Sequence, residues 1–187
     1  MKRIITALVF TLVVVPFSYA KDIAGVEIDD SISAAGTGLQ LNGAGIRTKW
    51  FMDIYVGALY LPNNSADAVA IISADEPQAI KLHMVSGLIT SDKMVKATTE
   101  GFVNATGGKV APIQDDVDAF MDVFKSEEIK ENDVFDLVYL PGKGVEIYKN
   151  GQLQDTIGGL AFKKALFGIW LSDKPVQKKL KASMLGD

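Results

Sequence analysis

The 187-residue sequence contains no cysteine and only one histidine. The absence of cysteine excludes a disulfide framework, thiol chemistry and a lipid attached to cysteine. The single imidazole, at His83, has no clustered partners with which to form a metal site or a catalytic triad, so we expect no metal. The sequence also lacks a phosphate-binding loop and a dinucleotide fingerprint, and we expect no cofactor.

An excess of positive charge is also missing. The chain has 19 basic and 23 acidic side chains, which gives a formal net charge of −4. Proteins that bind polynucleotides independently of sequence neutralise phosphates with lysine and arginine. We therefore expect no nucleic-acid partner.

The first twenty residues have the pattern of a secretory signal. Lys2 and Arg3 precede an apolar run over residues 4–15, and a small-x-small pattern ends at Ala20. A retained anchor is the alternative, but the run is shorter than the ~20 residues that span a bilayer. We predict a signal peptide over residues 1–20, cleavage after Ala20, and a periplasmic or secreted protein with no stable membrane span after cleavage. Residues 21–187 are then long enough for one domain with a full core.

Apolar periodicity predicts strands and helices in separate blocks, which favours an α+β fold. Asn150-Gly151 is the preferred dipeptide of a two-residue hairpin turn, and Gly107-Gly108 predicts the end of a helix. The expected strands are residues 26–28, 39–41, 49–61, 79–85, 134–140, 144–149 and 152–157. The expected helices are residues 66–72 after a Ser65 cap, 91–105, 116–125, 160–171, and one following Pro175.

Residues 41–61 set one arginine, Arg47, between a glycine-rich bend and an apolar strand. Gly43 and Gly45 are suited to a sharp bend or to close approach by another group. Alternate residues from Trp50 to Tyr60 are all apolar, which predicts that this face belongs to the core. Arg47 is a candidate residue for binding an anionic ligand, and an ion pair with Asp53 is the simpler alternative.

Three segments carry a resemblance to a known family. They are Gly-Val-Glu-Ile at residues 25–28, Leu-Asn-Gly-Ala-Gly-Ile-Arg at 41–47 with Gly-Ala-Leu-Tyr-Leu at 57–61, and the tail around Trp170 at 167–175. Together they resemble chalcone isomerase-like proteins of the bacterial periplasm. The resemblance implies an open-faced β-sandwich, in which a large antiparallel sheet is layered with helices and a ligand lies in a cleft between them.

The resemblance also implies candidate site residues. The plant enzymes close a chalcone to a flavanone with an arginine and several other polar groups, and the arginine corresponds to Arg47. Tyr55, Lys93 and Glu100 stand near the family's threonine, tyrosine and asparagine positions, so most of the catalytic set is altered. Non-catalytic members bind fatty acids through an arginine and a tyrosine, and Arg47 with Tyr55 is similar to that pair.

Arg47 and Tyr55 could contact the same ligand only if the chain bends between them, because eight residues of straight strand would separate them by roughly 27 Å. We therefore predict a turn or bulge near residues 47–49. Lys93, Lys96 and Glu100 share one helical face, which is either a solvated, salt-bridged surface or a second wall of the cleft.

Three functions follow. The first is a non-catalytic periplasmic protein that binds a small amphipathic carboxylate, such as a fatty acid, near Arg47. The alternative is an isomerase, an intramolecular lyase in which Arg47 stabilises an oxyanion while Tyr55 or Lys93 moves a proton. The third is a partner-binding protein that uses the basic face of the last helix, formed by Lys174, Lys178, Lys179 and Lys181.

Overall fold

The computed structural model describes residues 21–187, so the predicted signal peptide lies outside the described residues. The strands are β1 (Lys21–Ile23), β2 (Val26–Ile28), β3 (Ser31–Ala34), β4 (Thr37–Lys49), β5 (Met52–Leu61), β6 (Gln78–Met84), β7 (Val134–Leu140), β8 (Gly144–Lys149) and β9 (Gln152–Ile157). β1 and β2 form a small antiparallel pair, and β3 to β9 form one seven-stranded antiparallel sheet in chain order. No helix of the described part of the chain is long and apolar enough to cross a membrane.

The helices cover one face of this sheet. They are α1 (Ala68–Ser73), α2 (Ser91–Ala105), α3 (Gln114–Ser126), α4 (Leu160–Leu171) and α5 (Lys178–Met184), with a 3-10 turn at Ala111–Ile113. The predicted α+β fold, a large antiparallel sheet layered with helices, is confirmed. α1 begins later than expected, because the Asp67 side chain accepts a hydrogen bond from the Ala70 amide (3.0 Å) and forms the cap assigned to Ser65.

β5 is buried on both faces, so the two faces of this strand belong to two separate cores. Leu59 contributes to the main core between the sheet and the helices. Val56 and Tyr60 pack on the opposite face, where Val26 of β2 covers them. The prediction that the Trp50 to Tyr60 face is core is wrong at its start, because Trp50 is 79% exposed.

The exposure of Trp50 arises because residues 37–61 form a hairpin, not a short strand followed by a long one. Trp50 and Phe51 form its two-residue turn, and Arg47 pairs directly with Tyr55 across it. The register shifts next to Arg47, which leaves Ile54 as an extra residue in β5. The predicted turn or bulge near residues 47–49 is therefore confirmed.

The glycines ahead of Arg47 allow α5 to cross β4 at close range. A Cβ atom on Gly43 would overlap the Ser183 carbonyl oxygen, and one on Gly45 would lie 2.6 Å from the Ser183 Cβ. Leu180 and Met184 are buried at this crossing. Both glycines are therefore needed for close approach by a helix, one of the two roles considered for them.

Candidate functional site

A cavity of about 610 Å³ opens between the sheet and the helices. Its wall includes the β4–β5 hairpin, α2, side chains of α3 and α4, and Val176. Arg47, Tyr55, Lys93 and Glu100 all line it. The structure thus brings together the four residues selected from the sequence, and their part in ligand binding stays a prediction.

Arg47 is half-buried near the end of β4. Its Nη1 donates a long hydrogen bond of 3.5 Å to the Val176 carbonyl oxygen, and its Cζ lies 5.9 Å from the centre of the Tyr55 ring. Within residues 21–187, no carboxylate oxygen lies within 4.0 Å of the guanidinium, so the alternative ion pair with Asp53 is not formed. Most of the donors of this arginine remain available to an anion.

Tyr55 lies deeper in the same cavity and is 4% exposed. Its hydroxyl oxygen accepts a hydrogen bond of 2.9 Å from Trp170 Nε1, which fixes its position. Burial raises the pKa of Tyr55, although the positive charge of Arg47 and the Trp170 hydrogen bond oppose the effect. Tyr55 is therefore a neutral phenol near pH 7, which is suited to donating a hydrogen bond and not to accepting a proton.

The predicted α2 residues lie at the rim of the cavity. Lys93, Lys96 and Glu100 are solvent-exposed and also line the cavity. Lys93 Nζ donates to the Leu88 carbonyl oxygen at 2.8 Å, while Lys96 and Glu100 form no ion pair within 4.0 Å among the described residues. These residues therefore combine the two alternatives, since they form a solvated face that is also the outer part of a cavity wall.

The inner wall is apolar. It includes four residues for which apolar periodicity predicts only packing in the core, namely Met94, Phe120, Phe124 and Ile169. Among the lining side chains, the basic ones are Arg47, Lys49, Lys93 and Lys96, against Glu100 as the acidic one. The site is thus an apolar cavity with a positively charged entrance in an acidic protein, a combination that suits a ligand with an anionic head and an apolar tail.

The roles of Trp170 and Lys181 are not apparent from the sequence. Trp170 was part of the tail motif, but nothing indicated its hydrogen bond to Tyr55, 115 residues away. Lys181, assigned to a basic partner-binding face, instead donates to the Ser172 carbonyl oxygen at 3.0 Å, so three exposed lysines remain there. Among residues 21–187, no three histidine, cysteine, aspartate or glutamate side chains gather in a potential metal site.

Fold and cavity together define a protein in which a seven-stranded antiparallel sheet and a layer of helices enclose an apolar cavity with an arginine at its wall. The chain belongs to the chalcone isomerase-like family, whose sequence model matches residues 20–186. Among solved structures, it is similar to a fatty-acid binding protein of Arabidopsis thaliana, with a TM-score of 0.68 and 17% sequence identity over 87% of this chain and 92% of that one. At that identity the likeness establishes the fold. No curated protein matches the chain.

Proposed function

We propose that the protein binds a small amphipathic carboxylate, such as a fatty acid, with the carboxylate at Arg47. The observation that carries this proposal is a guanidinium beside an apolar cavity with no acidic partner in the described chain. A half-buried charge that lacks a counterion is costly, and a ligand carboxylate would offset that cost. The similarity to a plant protein described as fatty-acid binding supports the same chemistry.

The arrangement suits the two parts of such a ligand. The planar guanidinium can donate two parallel hydrogen bonds to a carboxylate, and it lies beside the ring of Tyr55, whose hydroxyl is a further donor in the same cavity. The alkyl chain would lie along Met94, Phe120 and Ile169. A volume of about 610 Å³ is within the usual range for small-molecule sites.

Turnover of a chalcone-like or enone substrate is the less favoured alternative. Such a reaction needs a group that accepts a proton, and burial raises the pKa of Tyr55, so its hydroxyl keeps its own proton near pH 7. Lys93 is held at the rim by the Leu88 carbonyl oxygen. We therefore place binding ahead of catalysis for this site.

Affinity for palmitate tests the proposal. Residues 21–187 would be titrated with palmitate and, in parallel, with methyl palmitate, which has no charged head. Arg47→Ala should weaken palmitate binding by about 10- to 100-fold, because a hydrogen bond to a charged group contributes about 1.5–3 kcal/mol. Arg47→Lys should lose less, since it keeps the charge but not the planar fork. Lys164→Ala, at an exposed position of α4, is the matched control.

Methyl palmitate shows whether Arg47→Ala loses only the contact with the carboxylate or disrupts the cavity as a whole. Its affinity should be the same for wild type and Arg47→Ala, because it lacks the carboxylate. Palmitate binding that is equally tight with and without the guanidinium would overturn the assignment of Arg47. Conversion of a chalcone that depends on Arg47 would favour the isomerase instead.

We propose a periplasmic location, supported by the signal-like pattern of residues 1–20. Fractionation of cells that express the full chain should recover a protein beginning at Lys21 outside the cytoplasm. A chain lacking residues 2–20 should stay inside. Recovery of the uncleaved protein in the cytoplasm would contradict this location.

A further inference from the structure

The turn between β4 and β5 combines backbone strain with exposed aromatic side chains. Trp50 and Phe51 have φ values of +53° and +67°, in the left-handed region, which costs roughly 1–2 kcal/mol for each residue other than glycine. Trp50 is 79% exposed and Phe51 is fully exposed. Neither side chain gains from burial in the protein, so folding does not account for these residues.

A second two-residue turn in the same sheet provides an internal comparison. Asn150 and Gly151, between β8 and β9, have φ values of +52° and +76°, which closely match those at Trp50 and Phe51. Asn-Gly is the dipeptide that such a turn favours. The chain thus uses the preferred residues at this turn and bulky aromatic residues at the turn that borders the cavity.

The surroundings of this turn combine apolar and basic side chains. Met52 and Leu88 are exposed large apolar residues, and like Trp50 they line the cavity. Lys49, Lys93 and Lys96 are exposed and line it too. The mouth of the cavity is therefore an apolar tip with three lysines around it against one carboxylate, that of Glu100, in a chain of net charge −4.

We propose that the mouth of the cavity docks on the surface of a lipid bilayer with anionic head groups, with Trp50 and Phe51 inserted at the interface. Tryptophan and phenylalanine are favoured at the boundary between head groups and acyl chains. Lysines close to an anionic surface add attraction that falls off within a Debye length. An apolar tip alone would also suit a protein partner, and the lysines are what favour an anionic lipid surface.

Docking in this orientation turns the cavity mouth towards the membrane, because the inserted turn is part of that mouth. An amphipathic molecule could then pass between bilayer and cavity without exposing its alkyl chain to water. The docking itself does not depend on which ligand the cavity holds, so it can fail or hold independently of the function proposed for Arg47.

Vesicle binding of residues 21–187 tests the proposal. Vesicles of phosphatidylethanolamine and phosphatidylglycerol, mixed 3:1, would be compared with vesicles of phosphatidylcholine in a flotation assay. Trp50→Asn/Phe51→Gly installs the preferred turn residues and should therefore preserve or raise the free energy of unfolding, which urea denaturation checks. The same variant should partition onto the anionic vesicles at least about tenfold more weakly than wild type.

A matched control removes two exposed apolar side chains that do not line the cavity. Val69→Ser/Leu153→Ser alters residues that are exposed and do not line it, and should bind anionic vesicles as wild type does. Wild-type binding should weaken with added salt and on phosphatidylcholine. Trp50 emission should shift to shorter wavelength on docking, while the buried Trp170 gives a constant background.

Three results would overturn the proposal. In the first, the wild-type protein stays in solution with anionic vesicles. In the second, the Trp50→Asn/Phe51→Gly variant binds these vesicles as tightly as wild type. In the third, wild type is a dimer that dissociates in this variant, and neither protein binds vesicles. The third result would assign the turn to a second copy of the chain. The flotation assay is run without added palmitate, which separates this test from that of the ligand site.

Discussion

Lys163 on α4 is a fully buried cation that has no acidic partner within 4.0 Å in the described chain. Its Nζ donates to three carbonyl oxygens at the end of α1, those of Ile71 (2.7 Å), Ile72 (3.1 Å) and Ala74 (2.9 Å). These carbonyls have no following helical turn to pair with, and a cation at a helix C-terminus is favourable. Burial nevertheless disfavours the charge and lowers the pKa of Lys163 from 10.5 to about 8.

The direction of the resulting pH dependence follows from proton binding. Between pH 8 and 10.5 the unfolded chain holds a proton on this lysine that the folded chain releases, so raising the pH favours the folded state. The stabilisation is complete above the unfolded pKa and disappears as the pH falls through about 8. With these two pKa values, the free energy of unfolding should rise by about 2.5 kcal/mol between pH 7 and pH 10 from Lys163 alone.

Urea denaturation of wild type and Lys163→Met across this range measures the effect. The difference in unfolding free energy between the two proteins should change by about 2.5 kcal/mol between pH 7 and pH 10, since all other titrating groups are shared. Lys179→Met, which alters an exposed lysine of α5, should follow wild type. If Lys163→Met and wild type show parallel pH profiles, the burial argument for this lysine is refuted.

Two substitutions test other contacts of the fold by urea denaturation. Asn42→Ala removes hydrogen bonds to the Ser65 amide and to the Ser65 and Met184 carbonyls, and should cost about 2–4 kcal/mol, whereas Asn64→Ala, with one long exposed bond, should cost under about 1 kcal/mol. Equal losses would contradict this account. Gly101→Ala places a Cβ 2.8 Å from the Ile169 Cγ2 where α2 meets α4, and should cost about 1–3 kcal/mol despite the higher helix propensity of alanine. A stabilised Gly101→Ala protein would show that the helices can separate freely.

The sequence predicts best the elements whose limits depend on neighbouring residues. α2, α4 and the strands β7 to β9 begin and end where apolar periodicity, caps and the Asn150-Gly151 turn indicate. The β4–β5 hairpin is missed because Trp50-Phe51 is not a recognised turn dipeptide and the apolar alternation continues through it. Local chemistry thus gives no sign of this turn, and only the implied proximity of Arg47 and Tyr55 predicts a bend there.

The features that the sequence does not predict depend on contacts between distant parts of the chain. The position of Arg47 and Tyr55 in one cavity follows from the family resemblance together with a distance argument. The partners of Lys163 lie 89 to 92 residues away in sequence, so its hydrogen bonds could not be read from an apolar helix. Periodicity identifies Phe120 and Ile169 as apolar but cannot distinguish a side chain that fills a core from one that lines a cavity.

The glycine-rich strand and the arginine that follows it are parts of one arrangement. Close approach at Gly43 and Gly45 lets α5 cross β4, and the residue before α5, Gln177, then pairs with Thr48. The Thr48 amide donates to Gln177 Oε1 and Gln177 Nε2 donates to Thr48 Oγ1, both at 3.0 Å. Val176 precedes Gln177 and its carbonyl accepts from Arg47, 129 residues earlier in the chain. The contact between the guanidinium and Val176 therefore depends on packing between distant parts of the chain, and the glycines permit that packing.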